Sequence, residues 1–438
     1  MSSPEPVTRA ARPSSAVARA VSGLSRVWQG RFFRDFCHAA LWQGVGRLIQ
    51  IVGVAYAARC LGAANLGISG VVMVIAANAQ LVLDLGLDTV AVRHTAAQTA
   101  PLADVTRALF TFRLLVAAAA AAVWLAVVAL IPMGETARWV WLLGAPYLVT
   151  LVMSYSWYFQ ATQRMPRFSF IQTVHSLGVS LIFLAAFHPQ QAAGSDLLVT
   201  LIVNCLVGLA TWWHIKQSNG FRLVGLRHLA MAKSLVAEAR PNWLFNLSYF
   251  LLATMGLPLV QLCLRDETQS GLYRSAAMMV TPLQLLLNSF GTMLIPRIVI
   301  WRHSDPAQFR RRVFQLVVGL GLGGLAVFGA VWLLQRPIYR LIYGAEFLPG
   351  AGLLPILVLA KFFSAGTAVL VWALFAQQRD WLAVQCCVWP MAVSFGLHLL
   401  LLPQFGITAA AWLNCGAEAA LVGLCALAFA RVQSRRRA

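Results

Sequence analysis

Ionisable side chains stand inside long apolar runs of this sequence at spacings that place them on shared helix faces. Gln80, Asp84 and Asp88 are each four residues apart, so on a helix they form one stripe. Asn414 and Glu418 repeat that spacing near the C-terminus. A charge at membrane depth costs roughly 2.5–3.5 kcal/mol on insertion scales, and such groups usually face a cavity. This pattern indicates proton or cation transfer, or a gate.

Cations occur at a similar depth. Arg47 and Lys361 lie near the middle of apolar runs, where their side chains cannot easily reach an interface. Two buried cations suit an anionic substrate, because Arg contacts phosphate in a bidentate manner and Lys acts as a point charge. The alternative is that they pair with Asp84 or Glu418, which would leave no net site.

Other ionisable residues lie nearer the ends of the runs. Arg113 and Arg274 are expected to extend towards the interface with their long side chains. Asp88 lies near the cytoplasmic end, where it would reach water or pair with Arg93. For Asp84, two interpretations stay open: a structural pair with a nearby Arg or Asn, or a role in ion coupling or gating.

The elements that carry these residues are predicted to be membrane-spanning helices. The sequence is 60% hydrophobic and 11% charged, whereas a soluble domain carries roughly 25% charged residues. Lipid must therefore solvate most of the surface. A span needs roughly 20 apolar residues, and twelve runs meet this requirement, at 37–58, 66–92, 108–131, 139–161, 169–187, 196–214, 242–264, 272–295, 313–334, 351–376, 381–402 and 406–430.

The net charge of +20 is spread over short loops between these runs, which favours membrane insertion over nucleic-acid binding. With the N-terminus inside, cytoplasmic segments hold 25 of the 34 Lys and Arg residues, outer segments hold 6 and the spans hold 3. This bias predicts a multi-pass inner-membrane protein with both termini in the cytoplasm.

The chain divides into five predicted parts. Residues 1–35 form a basic cytoplasmic tail with a weak interfacial helix, and 36–214 form a first bundle of six helices. A basic cytoplasmic linker, 215–241, leads to a second six-helix bundle at 242–430, and 431–438 form a second basic tail.

The two halves resemble each other at an offset of 204 residues. Apolar matches count little in such a sequence, so the polar matches carry the weight. They pair Gln80 with Gln284, Asp84 with Asn288, Arg93 with Arg297, and Arg107 with Arg311, and Gly67 also pairs with Gly271. Since six helices are an even number, both halves would have the same orientation and be related by an axis along the membrane normal.

Motifs for several chemistries are missing from the sequence. There is no Gly-x-x-x-x-Gly-Lys-Ser/Thr phosphate loop and no His-Glu-x-x-His pair, and the eight cysteines form no Cys-x-x-Cys pair. We therefore expect neither an enzyme nor a metal site, and no cofactor beyond H⁺ or Na⁺ as a coupling ion.

Several short motifs resemble one family, the bacterial polysaccharide-export flippases of the Wzx type, within the superfamily that includes the MATE exporters. The motifs are Arg59-Cys60-Leu61-Gly62, Leu66-Gly67-Ile68, Asp84-Leu85-Gly86-Leu87, Gly271-Leu272-Tyr273 and Ile295-Pro296-Arg297. The length and the twelve spans also agree, whereas the middle and the last third match only in hydropathy.

This resemblance implies that the chain moves an undecaprenyl-pyrophosphate-linked oligosaccharide from the inner to the outer leaflet. It implies two six-helix bundles in a V, with helices one, two, seven and eight around a cationic cavity. By matched motif, Asp84, Arg59 and Arg297 are candidate functional positions. The predicted partners are the lipid-linked oligosaccharide, membrane lipid, and a polysaccharide polymerase with its chain-length machinery.

The predicted sites are therefore two sets. The cationic cavity set is Arg47, Lys361, Arg59, Arg297 and Arg274, and the ion-coupling or gate set is Asp84, Asp88 and Glu418.

Three other functions remain in view. A MATE-like cation-coupled multidrug antiporter would share the fold, and Asp84 and Glu418 favour it while Arg47 and Lys361 oppose it. A polysaccharide polymerase or ligase would need a large outer loop, and all predicted outer loops are short. A cell-wall lipid-precursor flippase would be expected to have extra helices.

Overall fold

A computed structural model of the protein describes residues 31–96, 101–153, 155–162, 164–219, 229–304 and 306–434. The predicted interfacial helix of the tail lies outside these residues. The helices are α1 (Arg31–Asp84), α2 (Leu87–Ala96), α3 (Leu102–Leu130), α4 (Glu135–Leu142), α5 (Gly144–Thr150), α6 (Ser156–Ala161), α7 (Met165–Ala186), α8 (Ser195–Asn219), α9 (Leu229–Thr254), α10 (Gly256–Leu264), α11 (Glu267–Ser304), α12 (Pro306–Ile342), α13 (Leu353–Phe375) and α14 (Asp380–Ser434). Short 3₁₀ turns occupy Leu151–Met153 and Ala345–Gly350.

Helix α1 is two antiparallel helices joined at one residue, Gly62, whose φ of 75° leaves the helical region. We call the two arms α1a (31–61) and α1b (63–84). The backbone of α1a passes Thr173 at Gly46 and Ser180 at Gly53, so α1a runs parallel to α7. A left-handed φ is accessible to glycine without a steric penalty, so Gly62 can reverse the chain without a loop.

The second arm, α1b, runs parallel to α8 and therefore back across the membrane. Ser69, near the start of α1b, donates a 2.9 Å hydrogen bond to Asp196 at the start of α8. Gln80, near the end of α1b, shares a pocket with Thr211 near the end of α8. The predicted loop between the first two spans is thus absent from this described segment.

Helix α14 reverses in the same way at Gly406, which has a φ of 65°. The side chains of Cys386 and Cys425, which flank Gly406 at nearly equal distances along the chain, lie close together. We call the two arms α14a (380–405) and α14b (407–434).

Seven helices, or eight with the bent pair, are long and apolar enough to span a membrane among the described residues. The bent pair is α9–α10, whose axes differ by 51°. Counting α1 and α14 as two arms each raises this number to ten. The twelve predicted spans are reached when the broken pair α4–α5 and the more polar α11, which do not meet the requirement, are also included. The prediction of an all-α polytopic membrane protein is confirmed.

The two bundles meet where α1b crosses α11, and the contact is symmetric. A Cβ added to Gly67 would collide with the carbonyl of Glu267, and a Cβ added to Gly271 would collide with the carbonyl of Ala63. Under the 204-residue offset, Ala63 is equivalent to Glu267 and Gly67 to Gly271. Both halves thus contribute the same two equivalent positions to the contact. Each position of one half meets the other position of the opposite half, as a two-fold axis requires.

The linker between the bundles is shorter than predicted. Helix α8 continues to Asn219 and α9 begins at Leu229, so helices occupy much of the predicted 215–241 linker. Residues 220–228 lie outside the described chain. Helical propensity continues beyond the lipid-facing run, and hydropathy alone does not mark where a helix ends.

Within the second bundle, α13 is central and α12 is peripheral. The most apolar window of α13 is 78% buried within the protein, whereas that of α12 is 6% buried. A helix that is apolar on all sides is either buried or faces lipid. Lys361 lies on the central helix and is therefore enclosed by the C-terminal bundle.

Candidate functional site

We call the end of the molecule that contains the α1a–α1b reversal the Gly62 end, and the end that contains the α1b terminus the Asp84 end. At the Gly62 end, Arg274 of α11 reaches into the N-terminal bundle and is 6% exposed. It donates hydrogen bonds of 3.0 Å to Asp196 and 2.7 Å to Ser69, and a third to the carbonyl of Leu66. The expectation that Arg274 extends to the interface is wrong, because its charge is satisfied inside the protein.

The path of Arg274 depends on the residue opposite. A Cβ at Gly70 would overlap the side chain of Arg274. Under the 204-residue offset, Gly70 is the equivalent of Arg274 itself. The repeat thus places a glycine, which has no side chain, against a large side chain. The space left by the glycine lets the guanidinium cross from one bundle into the other.

Two further side chains at the Gly62 end, those of Arg59 and Glu346, cap helix ends of the opposite bundle. Arg59 donates to the carbonyls of Leu341 and Ile342 at the C-terminus of α12. The backbone N–H of Ala63, the first residue of α1b, donates a 2.7 Å hydrogen bond to Glu346. Helix termini leave such groups unsatisfied, and a cation at the C-terminus and an anion at the N-terminus are favourable. Arg59 is therefore engaged between the bundles.

At the Asp84 end, the predicted second span breaks where α1b ends. Leu85 and Gly86 both have positive φ, at 50° and 72°. This conformation is strained for leucine, so the surrounding packing must hold it. The break starts α2 at Leu87 and places Asp88 in its first turn, where the helix dipole favours a carboxylate.

The break brings Asp84 and Asp88 onto one cation, Arg113 of α3. Arg113 is 7% exposed and donates to both carboxylates. Ser156 of α6 donates a 3.0 Å hydrogen bond to Asp88. The expectation that Arg113 extends to the interface is wrong. For Asp84, the structure supports the interpretation as a structural pair with an arginine. Two carboxylates share one guanidinium, so the cluster has a formal charge of −1 when both carboxylates are ionised.

The suggested pair between Asp88 and Arg93 is also wrong. Arg93 forms an ion pair with Glu238 of α9, and His94 lies 2.7 Å from the same carboxylate. These contacts join α2 to α9, so they connect the N-terminal bundle to the first helix of the C-terminal bundle.

Two opposite charges lie near each other inside the C-terminal bundle. They are Lys361 on α13, which is half-buried, and Glu418 on α14b. Glu418 is 1% exposed, and neither of its carboxylate oxygens has a hydrogen-bond partner in the described part of the chain. Asn414 is turned elsewhere, since its amide donates to the carbonyl of Leu252 at 3.3 Å. Lys361 therefore lies near Glu418, as the pairing alternative predicts, and its role in the cationic cavity stays a prediction.

The side chains of Arg47 and Arg297, the other two predicted cavity cations, lie outside the described residues. Their backbones belong to α1a and α11. A cavity of about 250 Å³ separates these helices, with Gln50, Val54, Met279 and Thr281 among its lining residues. The described part of this cleft is apolar to mildly polar, and it lies between the two halves.

A polar pocket inside the N-terminal bundle was missed by the sequence analysis. It has a volume of about 240 Å³ and lies between α1b, α5, α6, α7 and α8. Gln80, Tyr155, Gln172 and Asn204 are among its lining residues. Gln80 was noted in the stripe with Asp84 and in the internal repeat, and a search for charged groups passed over the carboxamides of Gln172 and Asn204 and the phenol of Tyr155. The available signal was the occurrence of Gln172 and Asn204 within otherwise apolar spans.

No curated protein sequence matches the chain significantly. Among solved structures, the chain is similar to the lipid II flippase MurJ in an inward closed conformation, with a TM-score of 0.68 and 12% identity over 91% of this chain and 89% of that one. It is also similar to an inward-facing multidrug resistance MATE family transporter of the MOP superfamily, with a TM-score of 0.69 and 13% identity over 90% and 95%. A MOP superfamily transporter from Pyrococcus furiosus, described as having a binding pocket of reverse polarity, matches with a TM-score of 0.60 and 12% identity over 92% and 96%.

These likenesses establish the fold shared with flippases and transporters. The sequence profile described as polysaccharide biosynthesis protein matches residues 32–300, which is more than half of the chain. The protein therefore belongs to the polysaccharide biosynthesis protein family.

Proposed function

We propose that the protein moves an undecaprenyl-pyrophosphate-linked oligosaccharide across the bacterial inner membrane by alternating access, for O-antigen, capsule or exopolysaccharide synthesis. One observation carries the proposal. The two halves touch through a glycine-mediated symmetric contact, and separable polar bonds from Arg274, Arg59 and Glu346 join the halves at the Gly62 end. Membership of the polysaccharide biosynthesis family supports the substrate class.

The bonds at the Gly62 end suit a reversible closure. Arg59 and Glu346 each satisfy backbone groups of the opposite bundle. When the bundles separate, water replaces these bonds at little net cost, because the protein–water and protein–protein hydrogen bonds nearly balance. The glycine contact adds close packing without a bulky side chain that would interlock. The positive-inside bias supports placing the Gly62 end outside and both termini in the cytoplasm.

The substrate would enter from the Asp84 end, between α1a and α11. Its glycan and pyrophosphate would occupy the space between the bundles, while the polyisoprenyl chain would stay in the bilayer between helices. Arg47 on α1a and Arg297 on α11 stay the predicted pyrophosphate contacts, since their helices flank the cleft. The coupling ion stays a proposal, H⁺ or Na⁺, with Asp84, Asp88 and Glu418 as its candidate sites. A polysaccharide polymerase would receive the product.

The first experiment deletes the gene and measures which leaflet holds the lipid-linked oligosaccharide. A membrane-impermeant sugar-modifying enzyme is applied to intact spheroplasts. We expect the intermediate to accumulate inside, and a plasmid copy to restore its exposure. The Arg47→Ala variant should insert normally and restore less exposure than the wild type. Unchanged glycolipid exposure in the deletion strain would refute the proposal.

A cation-coupled multidrug antiporter is the second candidate function. The observation that favours it is the buried, unpartnered carboxylate of Glu418, since a carboxylate without a hydrogen bond can take a cation. The nearby charge of Lys361 opposes cation binding there. Sensitivity of the deletion strain to cationic dyes, with normal glycolipid exposure, would favour the antiporter.

A further inference from the structure

The polar pocket of the N-terminal bundle has the side chains of a binding site for a neutral, hydroxyl-rich ligand. Gln80, Gln172 and Asn204 line it, and none of the hydrogen bonds found among the described residues uses their side-chain amides. A carboxamide offers both donors and acceptors, and a hydroxyl group offers one donor and two acceptor lone pairs. These side-chain amides make no hydrogen bond within the described part of the protein and line a concave space. A ligand, or water in its absence, must therefore form their hydrogen bonds.

A second, independent observation is the phenol of Tyr155. Its side chain is 7% exposed and lines the same pocket, and its hydroxyl has no hydrogen-bond partner among the described residues. Buried phenol groups normally find a partner. The phenol therefore points to a ligand in the pocket and not only to packing.

The electrical character of the pocket restricts the ligand class. Its lining includes His175 but contains no Asp, Glu, Lys or Arg among the described residues, so it has no permanent charge. A pyrophosphate would lack a permanent counter-charge there, and so would a cationic drug. The aromatic rings of Tyr147, Phe159 and Phe168 also line the pocket, and such faces pack against the C–H surfaces of a sugar ring. Its volume of about 240 Å³ is below the roughly 300–1,000 Å³ of sites for drug-sized ligands, so it fits a small unit rather than a whole oligosaccharide.

We propose that this pocket binds one neutral sugar unit of the lipid-linked glycan, within the N-terminal bundle and apart from the cleft between the bundles. The inference rests on the proposed function and deepens it. All of the lining helices belong to one bundle, so the bound sugar would move with that bundle when the two halves rock. The contacts with the sugar would then persist while the phosphates move from one side of the membrane to the other.

An apolar groove lies beside the pocket. It has a volume of about 510 Å³, and Phe159, Ile171, Val207 and Thr211 belong to both walls. Most of its other lining side chains are apolar, and a stretch of polyisoprenyl chain suits this surface.

The test is site-specific photocrosslinking in cells that make their own lipid-linked glycan. The photoreactive residue p-benzoylphenylalanine replaces Asn204 in one variant and Gln172, which is exposed, in another. Trp213, 55% exposed on the same helix as Asn204, is the control position, and Met279 samples the cleft between the bundles. Adducts are purified and examined by periodate-dependent glycan staining and mass spectrometry.

We expect glycan-bearing adducts at Asn204 and Gln172 and none at Trp213. Glycan at Met279 but at neither pocket position would overturn the inference and leave the proposed function standing. Glycan at none of the four positions would overturn both. In parallel, Tyr155→Phe and Asn204→Ala should each lower flipping at limiting substrate by about three- to tenfold, the loss expected for one neutral hydrogen bond. Wild-type flipping by both variants would also contradict the inference.

Discussion

The buried ion pair between Arg274 and Asp196 should hold the Gly62 end closed, and its removal should open that end. Both side chains are less than a tenth exposed, and their charged atoms lie 3.0 Å apart. Removing one partner of such a pair leaves an uncompensated buried charge, at a cost of about 3–5 kcal/mol. If opening exposes Asp196 to water, the open arrangement avoids that cost. The Arg274→Met variant should therefore shift the equilibrium towards opening by about 150- to 5,000-fold.

The double variant Arg274→Met/Asp196→Leu separates this effect from general damage. Replacing both members of a buried pair by apolar residues of similar volume is often neutral or stabilising. We therefore expect closure to return in the double variant. Two substitutions that act only by disturbing the packing would instead add to each other.

The assay measures directly how accessible the contact is to a thiol reagent in water. A cysteine at Ala63, which is fully buried beside Gly271, is introduced into a protein without its other cysteines. A membrane-impermeant thiol reagent is applied to intact cells and, separately, to inside-out vesicles. The Arg274→Met variant should label much faster from the outside, and the double variant should label as slowly as the parent. Equal labelling of the parent and of Arg274→Met would refute the reasoning.

Three further substitutions test other parts of the fold. Gly271→Ala places a methyl group against the opposite backbone, so we expect labelling at the Gly62 end to rise and flipping to fall, whereas Gly319→Ala, which has open space around it, should leave both unchanged in the same assays. Arg113→Met leaves two half-buried carboxylates without their cation, so the melting temperature in detergent should fall by the equivalent of about 1.5–3 kcal/mol, the range for hydrogen bonds to charged groups; an unchanged melting temperature would contradict the ion cluster. Lys361→Met should also lower the melting temperature, and Lys361→Met/Glu418→Leu should restore it. If the double variant is stable but does not flip the glycolipid, the pair is functional, and if it flips normally the pair is structural.

Most of the spans were predictable from the sequence because lipid demands apolar runs of a fixed length. The positions at which the chain reverses its direction were less predictable. The first two spans were predicted with a loop between them, yet Gly62 alone turns the chain. The single glycine at the reversal looks no different in a hydropathy profile from Gly53 or Gly67, whose role is close packing. The backbone conformation of a glycine depends on tertiary contacts, which one sequence does not contain.

The stripe of Asp84 and Asp88 was predicted, but its partner was not. An uninterrupted helix would put the two carboxylates on one face, and the break at Leu85 and Gly86 brings them together by another route. Arg113 was assigned to the interface because its distance from the end of its own span allowed it. A long side chain can turn towards water or towards a buried anion, and the choice depends on which helix is adjacent.

Arg274 illustrates what an internal repeat can add. Its partner Asp196 is in the other bundle, and no local spacing links the two residues. The 204-residue offset, however, pairs Arg274 with Gly70. A large cation in one half aligned with a missing side chain in the other is the pattern expected when pseudo-symmetry would otherwise force two side chains into the same space. The sequence thus contained a sign that Arg274 crosses the interface.

The two bundles share their packing but not their chemistry. The symmetric contact at Gly67 and Gly271 uses the same small residues from both halves, as a common hinge surface requires. The interiors differ: the N-terminal bundle encloses a pocket of uncharged polar groups, and the C-terminal bundle encloses a buried helix with Lys361 near Glu418. Substitutions at the contact should therefore alter movement for every substrate, whereas substitutions in the pocket should alter which glycan is moved.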